Sequence, residues 1–463
     1  MFISKKRRLF IYKLSLVAFD TLALCASIYL AALLRFGPSE AVSYINEKFA
    51  SLGMSLVLFI GIFYINGLYD PRQTKGYAKD VINILASVIL GIILSTAIFY
   101  ATFSFAIGRG IYILMALFIW VFTSLPRVGY LFIVEKNVLD KKAIIVGNDS
   151  SVIETIDLIK KHPFSSYNIV GIVTSEKEAD KSEIGGHKIL GSIEDIQECL
   201  RHRKIDTIIV SSMDSRRADI FRDLRVCMYH GVEIVDFVSV YEDLENQIPL
   251  KHIDEEWLFS SIMNYPNFHV KKIKRLVDIV GSTTGLIVLF PLCVLAAILI
   301  KIDSKGPVFY RQKRLGRYGR PFRLIKFRTM VEHAERESGG PVWSQKDDPR
   351  ITRMGGLLRR MRLDEVPQLI NILLGEMSLV GPRPERPVFV KELSEKIEFY
   401  PERLYVQPGL TGWAQISYPY TSSIEESGIK LQYDLYYIKH ISFFLDFFIL
   451  LKTLKTVLLS KGR

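Results

Sequence analysis

The chain has 463 residues, of which 49% are hydrophobic, and it carries a formal net charge of +12. This length allows two or three domains, and the hydrophobic content favours a membrane protein over an average soluble one. The basic residues cluster beside apolar segments and no nucleic-acid-binding motif is present. The charge therefore indicates a membrane surface and phosphate-rich substrates, with no nucleic acid as partner.

Four hydrophobic segments near the N-terminus are each long enough to span a bilayer, which takes about 20 apolar residues in a helix. They are Leu9–Leu34, Phe49–Leu68, Val81–Phe105 and Ile111–Val134. Lys and Arg residues precede the first segment, lie between the second and third, and follow the fourth. This asymmetry predicts a four-helix transmembrane bundle over residues 1–138, with both ends in the cytoplasm. Asp20 is the clearest charged residue inside a segment, and we expect it to serve helix packing.

Residues 139–262 have the sequence pattern of a water-soluble α/β domain. Short apolar runs alternate with amphipathic stretches, which predicts a parallel sheet with crossover helices, a Rossmann-like domain. The turn after the first strand, Gly147 to Ser151, has only the first glycine of the G-x-G-x-x-G pattern. The second glycine of that pattern lets the backbone approach a pyrophosphate. We therefore predict a regulatory or architectural domain that binds no nucleotide cofactor.

A fifth hydrophobic segment, Leu276–Ile302, lies between two strongly basic flanks. A simple membrane span is one interpretation of its length. However, both basic flanks belong on the cytoplasmic side, and Pro291 in the middle removes a backbone hydrogen bond and bends a helix. The pattern predicts a re-entrant helix over 274–302 that enters the membrane, breaks at Pro291 and returns. The apolar tail with interspersed lysines predicts a C-terminal interfacial helix, so that residues 263–463 form a membrane-seated catalytic domain.

The stretch RRMRLDEVPQLINILLGEMSLVGPRP, residues 359–384, carries the chemistry. Pro367 suits the first turn of a helix and Gly375 its end, which puts Asp364 and Glu365 at the positive end of the helix dipole. Two carboxylates that stay ionised among arginines suit phosphoryl transfer, one as nucleophile and one to hold a metal ion. The surrounding arginines are Arg359, Arg360, Arg362 and Arg383.

Four motifs occur in a fixed order: KFRTM from Lys326, the Leu-Asp-Glu helix, VGPRP from Val380, and PGLTGWAQ from Pro408. Together they resemble the monotopic phosphoglycosyl transferases. With the upstream parts, the whole chain resembles the long form, the polyprenyl-phosphate hexose-1-phosphate transferases of bacterial surface polysaccharide assembly. That family uses a re-entrant helix with a serine before the proline, and here Phe290 stands in that place.

The resemblance implies an activity and roles for named residues. A hexose-1-phosphate would pass from a UDP-hexose to undecaprenyl phosphate at the cytoplasmic face of the bacterial inner membrane, beginning exopolysaccharide, capsule or O-antigen synthesis. Asp364 would be the nucleophile of a covalent intermediate. Glu365, beside Asp364, would hold Mg²⁺. Arg383, between Pro382 and Pro384, would bind a phosphate.

Further positions match the family pattern and keep two interpretations each. Lys326 and Arg359 either neutralise phosphate charge or belong to a solvated basic face near lipid headgroups. Asp434 either supports the metal or nucleotide or is a surface carboxylate. Trp413 either stacks on a base or lies at the membrane interface, and we favour the interface. The bundle and the middle domain together suggest a homodimer.

The sequence is also compatible with two other functions. One is a membrane-anchored nucleotide-sugar dehydratase or epimerase that uses the α/β domain, which the broken glycine pattern opposes. The other is a polysaccharide-assembly scaffold without enzymatic activity, which the motifs from Asp364 to Pro384 oppose.

Overall fold

The computed structural model contains several long apolar helices and a mixed α/β sheet domain, and it divides into two compact units, Met1–Leu244 and Glu245–Arg463. It describes residues 5–69, 77–101, 109–135, 141–162, 165, 167–174, 182–192, 195–196, 204–211, 218–262, 268–331, 348–418 and 423–458.

In the part of the chain that the structure describes, five helices precede the first strand: Lys5–Phe36, Pro38–Glu47, Phe49–Ile65, Tyr77–Ala101 and Arg109–Glu135. Each of the four hydrophobic segments of the sequence is therefore helical over most of the residues that the structure describes. By length and composition, the parts Ser15–Phe36 and Gly110–Gly129 can each cross a membrane. The second and third helices are bent by 78° relative to each other and pass the same test only as a pair. Val81–Ala97 is apolar but shorter.

A buried ion pair joins the first and fifth of these helices. The Arg127 guanidinium donates to both carboxylate oxygens of Asp20, at 2.8 and 2.7 Å, and to the Thr123 carbonyl at 2.8 Å. Asp20 is fully buried. Because removing one partner would leave an uncompensated buried charge, the pair ties the two helices together. This contact agrees with the packing role expected of Asp20 and supplies the partner that the sequence did not reveal.

The strands of the α/β domain are β1 Lys141–Gly147, β2 Tyr167–Thr174, β3 Glu183–Ile184, β4 His187–Ser192, β5 Thr207–Val210 and β6 Glu233–Asp236. They form a six-stranded sheet in the order β3-β4-β2-β1-β5-β6. All neighbouring pairs are parallel except β3 with β4. Ile144 and Ile145 of β1 are fully buried and belong to hydrophobic clusters on opposite faces. A parallel sheet covered on both faces requires a central strand that is apolar on both faces. The parallel pairing, with the burial of β1, confirms the predicted parallel sheet. The described helices of this domain are Asp149–Lys161, Ala218–Tyr229 and Phe237–Glu245.

In the turn after β1, a side chain of the same turn binds an amide at the start of the following helix. The Asn148 side chain caps the helix Asp149–Lys161 by accepting from the Ser151 amide at 3.1 Å. Asp149 then adds a negative charge to the first turn. A dinucleotide pyrophosphate needs free amides and no carboxylate at this place.

The second unit combines short sheets with helices. Its antiparallel hairpin consists of β7, Phe309–Leu315, and β8, Pro321–Phe327. Its parallel pair consists of β9, Ser378–Val380, and β10, Gly409–Thr411. The helices are Glu255–Ile262, Phe268–Asp303, Arg353–Arg360, Gln368–Leu374, Pro387–Lys396, Trp413–Ser417, Ile424–Lys439 and Phe443–Leu458.

The segment Glu245–Ile262 packs into the core of this second unit. Ile248 is fully buried in the same hydrophobic cluster as Leu435. The Asn246 carbonyl accepts from the Trp413 indole N–H at 3.0 Å. The interfacial position favoured for Trp413 is therefore wrong, because the ring lies in the core, 5.9 Å from the Tyr436 ring, and its polar N–H finds a backbone partner.

The helix Phe268–Asp303 runs without interruption through Pro291. The predicted break is therefore not observed, since one missing N–H leaves the other backbone bonds in place. Its 36 residues correspond to about 54 Å, and by length and composition its part Val270–Asp303 can cross a membrane. Near its start, Arg275 donates to the carbonyls of Ile372 and Leu373. At its end, the Asp303 carboxylate accepts from the Met354 amide at 3.0 Å. Both ends of this helix thus contact the same unit.

Candidate active site

The two adjacent carboxylates lie in a tight turn between two helices. Arg362 adopts a left-handed conformation, with φ of 57°, and the 3-10 turn Leu363–Glu365 follows. The next helix, Gln368–Leu374, begins directly after Pro367 and ends at Gly375, with φ of 83°. The predicted helix and its proline and glycine boundaries are confirmed.

The Asp364 side chain is mostly withdrawn from solvent, with the residue 8% exposed. Burial raises the pKa of Asp364 to about 6, and the neighbouring Glu365 carboxylate adds to the rise. The charges of Lys326, Arg359 and Arg383 act in the opposite direction on the same carboxyl group. The structure thus brings three predicted cations into the electrostatic environment of Asp364.

Glu365 is held by arginines. Its carboxylate accepts from Arg383 at 2.9 Å and lies 3.5 Å from the Arg362 guanidinium. Burial raises the pKa of Glu365, but the two guanidinium groups outweigh it, so the pKa lies below its usual value. Adjacent carboxyl groups with pKa values shifted in opposite directions are typical of functional sites.

Arg383 extends from a turn that backbone bonds hold in place. Pro382 contributes a carbonyl that accepts from the Gly409 amide at 2.8 Å, and the Gly381 amide donates to the Thr411 carbonyl at 2.8 Å. The Arg383 carbonyl accepts from Arg403 at 3.2 Å. These bonds place the Gly-Pro-Arg-Pro turn, Gly381–Pro384, against β10.

Glycines of the PGLTGWAQ motif make this contact possible. A Cβ on Gly409 would lie 2.1 Å from the Gly381 nitrogen, and a Cβ on Gly412 would lie 2.2 Å from the Gly381 oxygen. Both distances are far below contact distance. The two motifs, separated in the sequence, therefore depend on each other: backbone packs directly on backbone.

Lys326 and Arg359 approach the carboxylates from other elements. Lys326 lies on β8 with its ammonium 5.4 Å from the centre of the Tyr310 ring. Burial, followed by the charge of Arg314, lowers the pKa of Lys326 to about 8. Arg359, at the end of its helix, donates to the Thr329 hydroxyl at 2.9 Å. Neither residue is part of a fully solvated surface.

Asp434 lies deeper than the other predicted residues, with 1% of its surface exposed. Its carboxylate accepts from Arg403 at 2.9 Å, and Arg403 also donates to the Tyr400 hydroxyl at 2.6 Å. Burial, opposed by Arg403, raises the pKa of Asp434. Its contacts reach Arg383 through Arg403, while a direct contact of Asp434 with substrate or metal stays a prediction.

Sequence reasoning missed Arg314, which it treated only as part of a basic flank. The Arg314 guanidinium donates to the Pro384 carbonyl at 3.0 Å. It lies opposite Phe322 in the hairpin, on the strand whose Tyr310 pairs with Lys326. The alternation of Tyr310, Gln312 and Arg314 was the available signal, since side chains two residues apart share a face of a strand.

Two family models match different parts of the chain. A family model described as bacterial sugar transferase matches residues 269–460. A second model, described as CoA-binding domain, matches residues 64–235.

Curated relatives extend the similarity. A UDP-N-acetylgalactosamine-undecaprenyl-phosphate N-acetylgalactosaminephosphotransferase of Aeromonas hydrophila is 36% identical over 56% of this chain and 60% of the relative. A UDP-glucose:undecaprenyl-phosphate glucose-1-phosphate transferase of Xanthomonas campestris pv. campestris is 31% identical over 69% of this chain and 67% of the relative. An enzyme of the same name from Klebsiella pneumoniae is 28% identical over 90% of this chain and 92% of the relative.

Proposed function

The chain belongs to the bacterial sugar transferase family, and we propose that it transfers a sugar-1-phosphate from a UDP-sugar to undecaprenyl phosphate. The observation that carries this proposal is the buried Asp364, which lies beside Glu365 and in the field of Lys326, Arg359 and Arg383. An acid among several cations suits an exchange of one diphosphate bond for another, in which every reactant is anionic.

We propose that Asp364 is the nucleophile. Its carboxylate attacks the phosphorus of the phosphate that carries the sugar. The bond from this phosphorus to the oxygen between the two phosphates breaks, and UMP leaves. The phosphate oxygen of undecaprenyl phosphate then attacks the same phosphorus, releases the Asp364 carboxylate and forms the lipid diphosphate sugar. Splitting the reaction keeps the two anionic substrates from having to approach each other directly. With a pKa of about 6, the carboxylate is mostly ionised near neutral pH.

The cations have a proposed role in charge neutralisation. Arg383 is held between Pro382 and Pro384 by backbone bonds, which supports a fixed guanidinium that meets a phosphate. Lys326 and Arg359 would neutralise the remaining phosphate oxygens. Groups fixed before the substrate arrives need no reorganisation when charge develops.

The carboxylates also fit a Mg²⁺ ion in part. Among the residues that the structure describes, no group of three His, Cys, Asp or Glu side chains could hold a metal. Asp364 and Glu365 offer adjacent oxygen ligands, and Mg²⁺ commonly binds one or two carboxylates, keeping its other positions for waters and substrate phosphates. We propose that Glu365 and Asp364 would hold Mg²⁺, which would offset negative charge of the diphosphate.

The membrane placement that we propose puts the catalytic unit on one face of the bilayer. The helix Phe268–Asp303 contacts this unit at both ends, through Arg275 and Asp303. Its other face exposes large apolar side chains, among them Leu276, Ile287 and Ile298. A helix that crossed the membrane would carry one end away from the unit. These contacts support a helix that enters the lipid from the cytoplasmic side and stays there, with Phe443–Leu458 lying at the interface.

The remaining parts have proposed roles outside the chemical step. The N-terminal helices would form a four-helix bundle in the bacterial inner membrane, and the sheet domain would be Rossmann-like and architectural or regulatory. The Asn148 cap and the Asp149 charge oppose a bound dinucleotide at its first turn. We further propose a homodimer and a place at the beginning of surface polysaccharide assembly, with the hexose left open between glucose and galactose.

One assay tests the proposed function. Membranes containing the protein, a UDP-hexose, Mg²⁺ and undecaprenyl phosphate should release UMP together with the lipid product. A dehydratase would release no UMP and would need NAD, and a scaffold would consume no substrate. Absence of UMP across UDP-hexoses and their N-acetyl forms would reject the proposal.

A further inference from the structure

Three side chains form a row along one face of β7. Tyr310, Gln312 and Arg314 alternate with the exposed residues Arg311 and Lys313, as the two-residue period of a strand requires. Hydrogen bonds run along the row. Gln312 donates to the Tyr310 hydroxyl at 3.2 Å, and its carbonyl oxygen accepts from two nitrogens of Arg314, Nε at 3.0 Å and Nη2 at 2.6 Å.

At one end of the row, Arg314 binds the turn that carries Arg383. With Nε and Nη2 bound to Gln312, the plane of the Arg314 guanidinium is fixed and Nη1 donates to the Pro384 carbonyl at 3.0 Å. The same Nη1 lies 3.4 Å from the Glu385 carboxylate. The Leu315 amide adds a backbone bond to the Glu385 carbonyl at 3.0 Å.

The second end of the row meets Lys326. Tyr310 pairs with Lys326 across the hairpin, and the ammonium lies 5.4 Å from the centre of the ring. This distance is within the range of a cation–π contact. The row therefore connects Lys326, on one strand, with the turn Gly381–Pro384, which belongs to a distant part of the chain.

We propose that Tyr310, Gln312 and Arg314 are positioning residues that fix the Gly381–Pro384 turn, and with it Arg383, relative to Lys326. The inference rests on the proposed function, in which these two cations receive the phosphates of the donor. The row sets the spacing of the two cations before substrate binds. Gln312 is its central member because it orients the guanidinium of Arg314.

Substitutions at Gln312 separate this role from general packing. Gln312→Leu removes the acceptor for Arg314, whereas Gln312→Glu keeps an oxygen at the same distance from the backbone. Misplacement of a binding group by about 1 Å can lower a rate about a hundredfold. We expect Gln312→Leu to lower kcat about 10- to 100-fold and to change the donor KM by less than about threefold, because the substitution changes the placement of Arg383 relative to Lys326 and leaves both charges in place. Gln312→Glu should recover kcat to within about threefold.

Two further variants complete the set. Arg314→Lys keeps the charge but loses the fork of donors, so it should behave like Gln312→Leu and serves as the test if the leucine variant does not fold. Lys313→Gln lies on the exposed face of the same strand and should leave kcat unchanged. Thermal unfolding in detergent shows which variants are folded.

A second measurement needs no turnover. Hydrogen–deuterium exchange should become faster at the amides of Leu315, Gly381, Arg383 and Glu385 in Gln312→Leu and Arg314→Lys, and stay unchanged in Lys313→Gln. Unchanged kcat and exchange in both variants would overturn the proposal, as would a Gln312→Glu variant as slow as Gln312→Leu. If exchange responds but even the unmodified protein releases no UMP, the positioning row stands and the proposed function falls.

Discussion

Replacing Gly409 by alanine should separate the two motifs that meet at the Gly381–Pro384 turn. The added Cβ would lie 2.1 Å from the Gly381 nitrogen and 2.4 Å from the Thr411 oxygen. These are backbone atoms, so no rotation of a side chain relieves the clash. To reach an ordinary contact of 3.4 Å, the Gly381 nitrogen must retreat by about 1.3 Å, the difference between 3.4 and 2.1 Å.

This displacement has two expected consequences. Overpacking of a well-packed site costs about 1–3 kcal/mol, and here the bond from the Gly409 amide to the Pro382 carbonyl weakens as well. Arg383 follows its turn, and a shift of about 1 Å in a binding group lowers the rate about a hundredfold. Gly409→Ala should therefore lower the unfolding midpoint and reduce kcat by about two orders of magnitude.

Gly428→Ala is the matched control. Gly428 lies in the helix Ile424–Lys439 and a Cβ there meets no atom within 4 Å. Alanine is favoured over glycine in a helix interior by about 0.5–1 kcal/mol, so this variant should be slightly more stable and fully active. Both quantities are measured by thermal unfolding in detergent and by UMP release. A Gly409→Ala variant with normal stability and normal kcat would refute the account of the two motifs.

Three other predictions follow from the site and its surroundings. Since Asp364 must be ionised and Lys326 protonated, kcat/KM should fall below about pH 6 and above about pH 8, and a flat profile between pH 5 and 9 would contradict these roles. A chain that begins at Glu245 should fold and keep transferase activity. A chain that also lacks Glu245–Ile262 should be less stable, because the buried Ile248 and Leu258 are then missing from the core of the second unit. Equal melting midpoints of the two chains would contradict this role of the segment. Cysteines placed at Lys272 and Lys305, in a chain lacking its natural cysteines, should both react only from the cytoplasmic side, and periplasmic labelling of either would make Phe268–Asp303 a span.

Local signals in the sequence predicted the part of the site that local structure forms. Pro367 and Gly375 marked the helix after Asp364 and Glu365, and the structure has it at those bounds. The alternation of apolar runs likewise predicted the parallel sheet, because a buried strand must be apolar on both faces.

Contacts between distant residues could not be read in the same way. Asp20 pairs with Arg127, which lies 107 positions away in the sequence. The residues around Asp20 and around Arg127 carry no sequence signal that predicts this pairing. Trp413 has an amphipathic side chain that suits a membrane interface or a core with a polar partner, and the partner, Asn246, lies far away in the sequence. The contact of Arg314 with Pro384 depends on the register of a hairpin and on a turn about 70 residues later.

In the proposed mechanism, Asp364 carries the sugar phosphate during turnover. In the absence of undecaprenyl phosphate, donor labelled on the phosphate next to the sugar should transfer its label to the protein, and peptide mass spectrometry should find the adduct on Asp364. Asp364→Asn keeps the size of the side chain but removes the nucleophile, so it should acquire no label and should not turn over. A labelled, active Asp364→Asn variant, or an adduct on another residue, would contradict the account.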